Sequence, residues 1–141
     1  MLPYFVRALL YPAESMTPVV ILVPASASAD LEPGQRYWLE DLSVDRWFPN
    51  GWQTQRVSQF PETSYQLRNH YTIYTSAETQ RSRRNLSLVQ LGVRQHRGNV
   101  LVLRTSSRQA YEVTNVHSAE RALIDLVVTR YVFVNGTLTP S

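Results

Sequence analysis

The chain has 141 residues, 43% of them hydrophobic and 11% aromatic, with 14 basic side chains, 11 acidic ones and no cysteine. That length and composition fit a single folded domain over residues 1–141, and they exclude a disordered chain, a disulfide framework, a thiolate nucleophile and a cysteine-based zinc site. All 14 basic residues are arginine, so lysine-dependent chemistry is excluded and every strong cationic contact belongs to a guanidinium.

Tyr4–Tyr11 and Val19–Val23 read as short strands, set apart by Pro12 and Pro18. The longest apolar run, Pro18 to Ala25, falls far short of the ~20 residues needed to cross a bilayer. The first 15 residues lack a basic leader and are interrupted by Pro3 and Arg7, so no secretory signal, no membrane partner and a cytoplasmic location are the expectation. Pro24–Gly34 is small, polar and bracketed by prolines, hence a loop. Arg36–Val44 reads as a strand, and Asn50-Gly51 predicts a hairpin joining Asp45–Phe48 to Trp52–Gln59, because both turn residues tolerate positive φ.

Pro61–Asn69 fits a helical turn or a loop, and His70–Thr75 a strand. Leu86–Gln95 and Val100–Thr105 read as a second hairpin turning at His96–Asn99, and Gln109–Val116 as a further strand. Ala119–Arg130 is the predicted helix: Ser118 fits its N-cap, Glu120 its first turn and Arg130 its last. Leu123, Ile124, Val127 and Val128 make the apolar stripe. Asn135-Gly136 then predicts a turn between short strands at Tyr131–Val134 and Thr137–Thr139. These elements amount to an α+β domain, a β-rich, mostly antiparallel or mixed sheet with one C-terminal amphipathic helix.

Charge is distributed unevenly along this pattern. Between Thr79 and Tyr111 lie seven arginines and no acid, so that stretch is +7 while the whole chain is only +3. A run this one-sided attracts polyanions, whereas a merely solvated face interleaves acids. Arg81, Arg83, Arg84, Arg94, Arg97, Arg104 and Arg108 are therefore the candidate nucleic-acid contacts, on DNA or RNA, since a guanidinium fork grips a phosphate or a guanine edge with two hydrogen bonds. Tyr37, Trp38, Trp47, Trp52, Tyr65, Tyr71, Tyr74 and Tyr111 are available for base stacking, Tyr71 and Tyr74 foremost because they precede the basic stretch. The bland alternative is a solvated face on ordinary strands.

Signs of catalysis are thin. His70, His96 and His117 lack metal-ligand spacing, no GxSxG, Walker or GxGxxG motif occurs, and Glu40, Asp41 and Asp45 make no two-metal pattern. No catalytic residue, metal or cofactor is therefore expected. A metal-independent ribonuclease built on His96, Arg94, Arg97 and Tyr111 is one alternative. Another is a protein-interaction or assembly module of viral, phage or mobile-element origin, docking on an acidic protein surface or on itself.

Residues 73–128 read IYTS, the cluster RSRR, a strand pair, and then YEVTNVHSAERALIDLVV. This order resembles the C-terminal domain of the abortive-infection (AbiEi-type) antitoxin regulators, in which a V-x-S-x-E-R-[AT]-L-[IL]-D-L motif opens a helix. Here the motif falls on Val116, Ser118, Glu120, Arg121, Ala122, Leu123, Ile124, Asp125 and Leu126. Ala119 stands where that family has proline, and residues 1–60 offer no counterpart to its winged helix-turn-helix. The resemblance implies an antitoxin-like, nucleic-acid-binding regulator.

Overall fold

The computed structural model describes residues 4–26, 37–107 and 112–138. Seven strands form one sheet: β1 (Tyr4–Tyr11), β2 (Val19–Ala25), β3 (Tyr37–Trp38), β4 (Trp52–Gln59), β5 (Gln66–Ser76), β6 (Val100–Thr105) and β7 (Glu112–Thr114). Two α-helices accompany them, the short α1 (Leu86–Gln90) and the long C-terminal α2 (Arg121–Leu138). The spatial order is β2-β1-β6-β5-β4, and every pairing is antiparallel. β7 continues the edge of β6 where β1 leaves it, and β3 pairs with β7. The α+β, β-rich class expected from the sequence is the class observed.

β6 lies at the centre because its residues VLVLRT are apolar on both faces, and five of the six are buried. One face packs under α2: Leu9, Tyr11, Tyr71, Ile73, Val100 and Val102 meet Ile124, Val127, Val128 and Val132. The opposite face packs Val6, Leu10, Val23, Tyr74, Leu101 and Leu103 against Val44 and Phe48 of the 42–48 segment. The Tyr11 hydroxyl donates to Asp125 Oδ1 at 2.5 Å and ties β1 to α2.

Several elements differ from expectation. The helix does not stop at Arg130: it runs to Leu138 through the predicted turn at Asn135-Gly136. Its buried stripe is Ile124, Val127, Val128 and Val132, and Tyr131 packs beside it. That i, i+3, i+4, i+8 spacing continues past residue 130, so tertiary packing carries the helix onward. Leu123 faces outward, 37% exposed, and Leu126 is 59% exposed. The predicted hairpin strand 86–95 is not formed: Asn85 caps α1, its side chain accepting from the Leu88 N–H at 2.9 Å. LSLVQL alternates like a strand, but the asparagine cap and the burial of Leu88 favour a helical turn.

The Asn50-Gly51 signal closes a turn rather than a hairpin. Gly51, at φ +92°, donates its N–H to Phe48 O at 3.1 Å, and β4 then pairs with β5 instead of with 45–48. The strand predicted over Arg36–Val44 contracts to Tyr37–Trp38 followed by a 3-10 turn over Leu39–Asp41. Among the described residues no helix is long and apolar enough to cross a membrane.

Candidate nucleic-acid interface

β5 and β6 are joined by residues 77–99, and this connection holds Arg81, Arg83, Arg84, Arg94 and Arg97 against one acid, Glu78. It is a built structure. The Leu86 N–H donates to Ala13 O at 3.0 Å, and the Ser87 hydroxyl contacts Pro12 O at 2.8 Å and Ser15 O at 2.6 Å. Asn99 takes the Ala13 N–H at 2.8 Å and donates to Trp47 O at 2.9 Å. The connection is thereby fixed to the β1–β2 turn at one end of the sheet.

Asn85 is the hub. Fully buried, it donates its amide to Tyr11 O at 2.9 Å and to Gly98 O at 2.8 Å, while its carbonyl caps α1. Its own N–H donates to His96 O at 2.9 Å, and the Gly98 N–H donates to Arg83 O at 2.8 Å. Those two bonds flank Arg84 and Arg97, which face each other across an isolated antiparallel bridge. Bonds on either side of a facing pair define the non-hydrogen-bonded kind, with Cα atoms about 4.5 Å apart and side chains leaving on the same face. Gly98 is required here: φ is +89°, and a Cβ would stand 3.0 Å from Ser76 Cβ.

Two like charges directly opposite each other repel. Arg84, Arg94 and Arg97 are exposed, and none has a carboxylate within ion-pair distance among the described residues. Among the described residues Arg97 donates to Ser82 O, at 3.4 Å. Arg81 and Arg83 do have partners, Glu78 at 3.7 Å and Glu14 at 3.4 Å, but all four side chains are at least half exposed. Such solvent-exposed pairs are worth about 0–1 kcal/mol and yield readily to a competing phosphate.

The remaining candidates sit elsewhere. Arg104 lies near the far end of β6, facing Tyr71 on β5 and Thr114 on β7. Its guanidinium bonds Glu120 Oε2 at 3.2 Å, with only 26% of its side chain exposed. Glu120 also accepts the Tyr71 hydroxyl at 2.7 Å, the Asn69 amide at 2.9 Å and the His117 N–H at 2.8 Å. Partial burial raises the Glu120 pKa, but the His117 N–H, the Tyr71 hydroxyl and Arg104 outweigh it and hold the carboxyl below its usual value. Arg104 and the motif glutamate therefore make a structural network joining β5, β6 and the start of α2.

Tyr71 is 0% exposed and Tyr74 4%, so neither presents a ring to a base, and both leave the candidate surface. Both faces of β5 are covered at this point, and burial pushes the Tyr74 hydroxyl up to about 12. Arg108 and Tyr111 lie outside the described residues. An aromatic ring that does stand at the basic end is Trp52, 40% exposed and in register with Ser76, the last residue before the connection. Trp52 was among eight aromatics the sequence offered, and only the β4–β5 register distinguishes it. His96 lies between Arg94 and Arg97, but its Nε2 is buried without a partner and burial lowers its pKa to about 4. It is a neutral packing residue at neutral pH.

At the opposite end, Arg68, Asn69, Arg104, Thr105, Ser106 and Glu112 line a polar hollow of about 350 Å³. No protein-family model, curated protein or solved structure matches this chain.

Proposed function

We propose that the domain is a non-enzymatic nucleic-acid-binding module and that the 77–99 connection is its contact surface. The observation that carries this reading is the Arg84–Arg97 pair, two exposed arginines facing each other across a bridge with no acid in ion-pair distance among the described residues. A phosphate oxygen between them turns a repulsion into charge-assisted hydrogen bonds. The other connection arginines extend the charge along an exposed stretch rather than around a pocket, which suits a polymer better than a small anion. Trp52 offers a stacking surface beside it, which suits a single strand. The likeness of residues 73–128 to antitoxin regulators supports a regulatory role for such a module.

Anisotropy titration of labelled duplex and single-stranded oligonucleotides across a salt series tests this. Five phosphate contacts give a slope of log K against log salt of about −4.5 on duplex and about −3.5 on single strand. Absence of binding at low salt, or a flat slope on both, overturns the proposal.

A further inference from the structure

We propose that β2 is the interface through which two copies of this chain join, edge to edge, into one continuous sheet. The two outer strands are finished very differently. β4, WQTQRVSQ, is polar, almost wholly exposed, carries Arg56 and is bent by a bulge between Val57 and Gln59. Charge and a bulge are the usual protections of an open sheet edge. β2, VVILVPA, has no charge and no bulge, and its register against β1 is unbroken from Val19 to Ala25.

The free part of that edge is well defined. At its C-terminal end the 41–43 segment closes it, the Ser43 N–H donating to Pro24 O at 2.9 Å and the Ser26 N–H to Asp41 O at 2.8 Å. Pro24 O therefore points away from β1. In an antiparallel ladder alternate residues point the same way, so the N–H and C=O of Leu22 and Val20 also point outward. No described residue accepts or donates there. Val20 is 48% exposed and Leu22 56%, and on the same face Phe5 of β1 is 42% exposed, beyond the reach of α2.

A two-fold axis through Ile21 uses these groups completely. It sets Val20 opposite Leu22 of the second copy and Leu22 opposite its Val20, each facing pair exchanging two main-chain hydrogen bonds. Pro18 and Pro24, which lack N–H groups, end the ladder at both sides. The edge is its own complement under this operation, as an isologous interface requires. β2 itself carries no charge that opposes an identical strand or selects an oppositely charged one; the nearest is the exposed Arg7, behind it on β1 opposite Leu22. The exposed Val20 and Leu22 side chains of both copies then form one apolar strip, bordered on β1 by Phe5 and Arg7. Because the two β2 strands run in opposite directions, the two 77–99 connections fall at opposite ends of the joined sheet.

Sedimentation equilibrium of the full chain tests this, alongside Leu22→Lys on β2 and Gln55→Lys on β4. Both substituted side chains are exposed, so circular dichroism spectra should coincide with that of the unsubstituted protein and show that each variant folds. A closed dimer of the 16.2 kDa chain, weakened about tenfold or more by Leu22→Lys and untouched by Gln55→Lys, is the expected result. A monomer at all concentrations, an open-ended series of larger species, or a dimer indifferent to Leu22→Lys overturns the proposal. So does hydrogen exchange in which the Val20 and Leu22 amides stay protected on dilution, because then the chain's own residues or a bound peptide cover them.

Discussion

Arg104 and the Arg84–Arg97 pair carry the same guanidinium into opposite surroundings, and the contrast separates structure from candidate function. Arg104 projects from the central strand beside a half-buried carboxylate that already accepts from Tyr71, Asn69 and the His117 N–H. Its charge is cancelled and its position is fixed by the fold. Arg84 and Arg97 stand on a connection whose geometry is equally fixed, by Asn85 and Gly98, yet it brings like charges together, with no carboxylate in ion-pair distance of either among the described residues. A fold gains nothing from that second arrangement. A ligand does.

The contrast can be broken at several points. The largest effect belongs to Glu120→Ala, which strands Arg104, the Tyr71 hydroxyl and the His117 N–H. Urea unfolding should show a loss of about 3 kcal/mol, in the range for one partner removed from a buried pair. Asn85→Ala comes next, at about 2 kcal/mol, because it removes a helix cap and two buried hydrogen bonds. It should also weaken oligonucleotide binding, since Asn85 holds together the two segments that carry Arg84 and Arg97.

Acid sharpens the comparison further. The His96 pKa is lowered to about 4 in the folded protein against roughly 6.5 unfolded. The unfolded chain therefore binds the extra proton over that interval, and stability falls as pH drops from about 6.5 to about 4, by about 3 kcal/mol. Glu120, with its pKa lowered, adds a loss that begins below the ordinary carboxylate value and continues as pH falls through its folded pKa. Replacing His96 with Gln should flatten the first part of a stability–pH curve and leave the second. Smallest in stability is the double substitution Arg84→Gln and Arg97→Gln, expected within about 0.5 kcal/mol of zero or slightly stabilising, because it relieves a like-charge pair.

Much of this layout was legible in the sequence, for identifiable reasons. The arginine run stands out because charge along the chain is local information, and β1, β2 and the 70–75 strand follow from short-range pattern, whereas the helix expected from Ala119 behind a Ser118 cap begins at Arg121, after a 3-10 turn over Ser118–Glu120 that His117 caps. The rest depends on contacts distant in sequence. Arg104 could not be separated from its neighbours because Glu120, 16 residues on, reaches it only through the fold. Tyr71 and Tyr74 stand out in the sequence because they precede the basic stretch, whereas in the fold β5 is covered by α2 on one side and by Phe48 on the other. α1 was hidden by an alternating apolar pattern that Asn85 overrides. Trp52 became distinguishable only through its register with Ser76.

The most direct test of the central claim compares salt dependence of oligonucleotide binding for the unsubstituted chain, the Arg84→Gln/Arg97→Gln pair and Arg104→Gln. The account predicts that the double substitution lowers the magnitude of the duplex slope by about 1.8 while Arg104→Gln leaves it unchanged and costs only stability. An unaltered slope in the double variant, or an equal fall for Arg104→Gln, would contradict it.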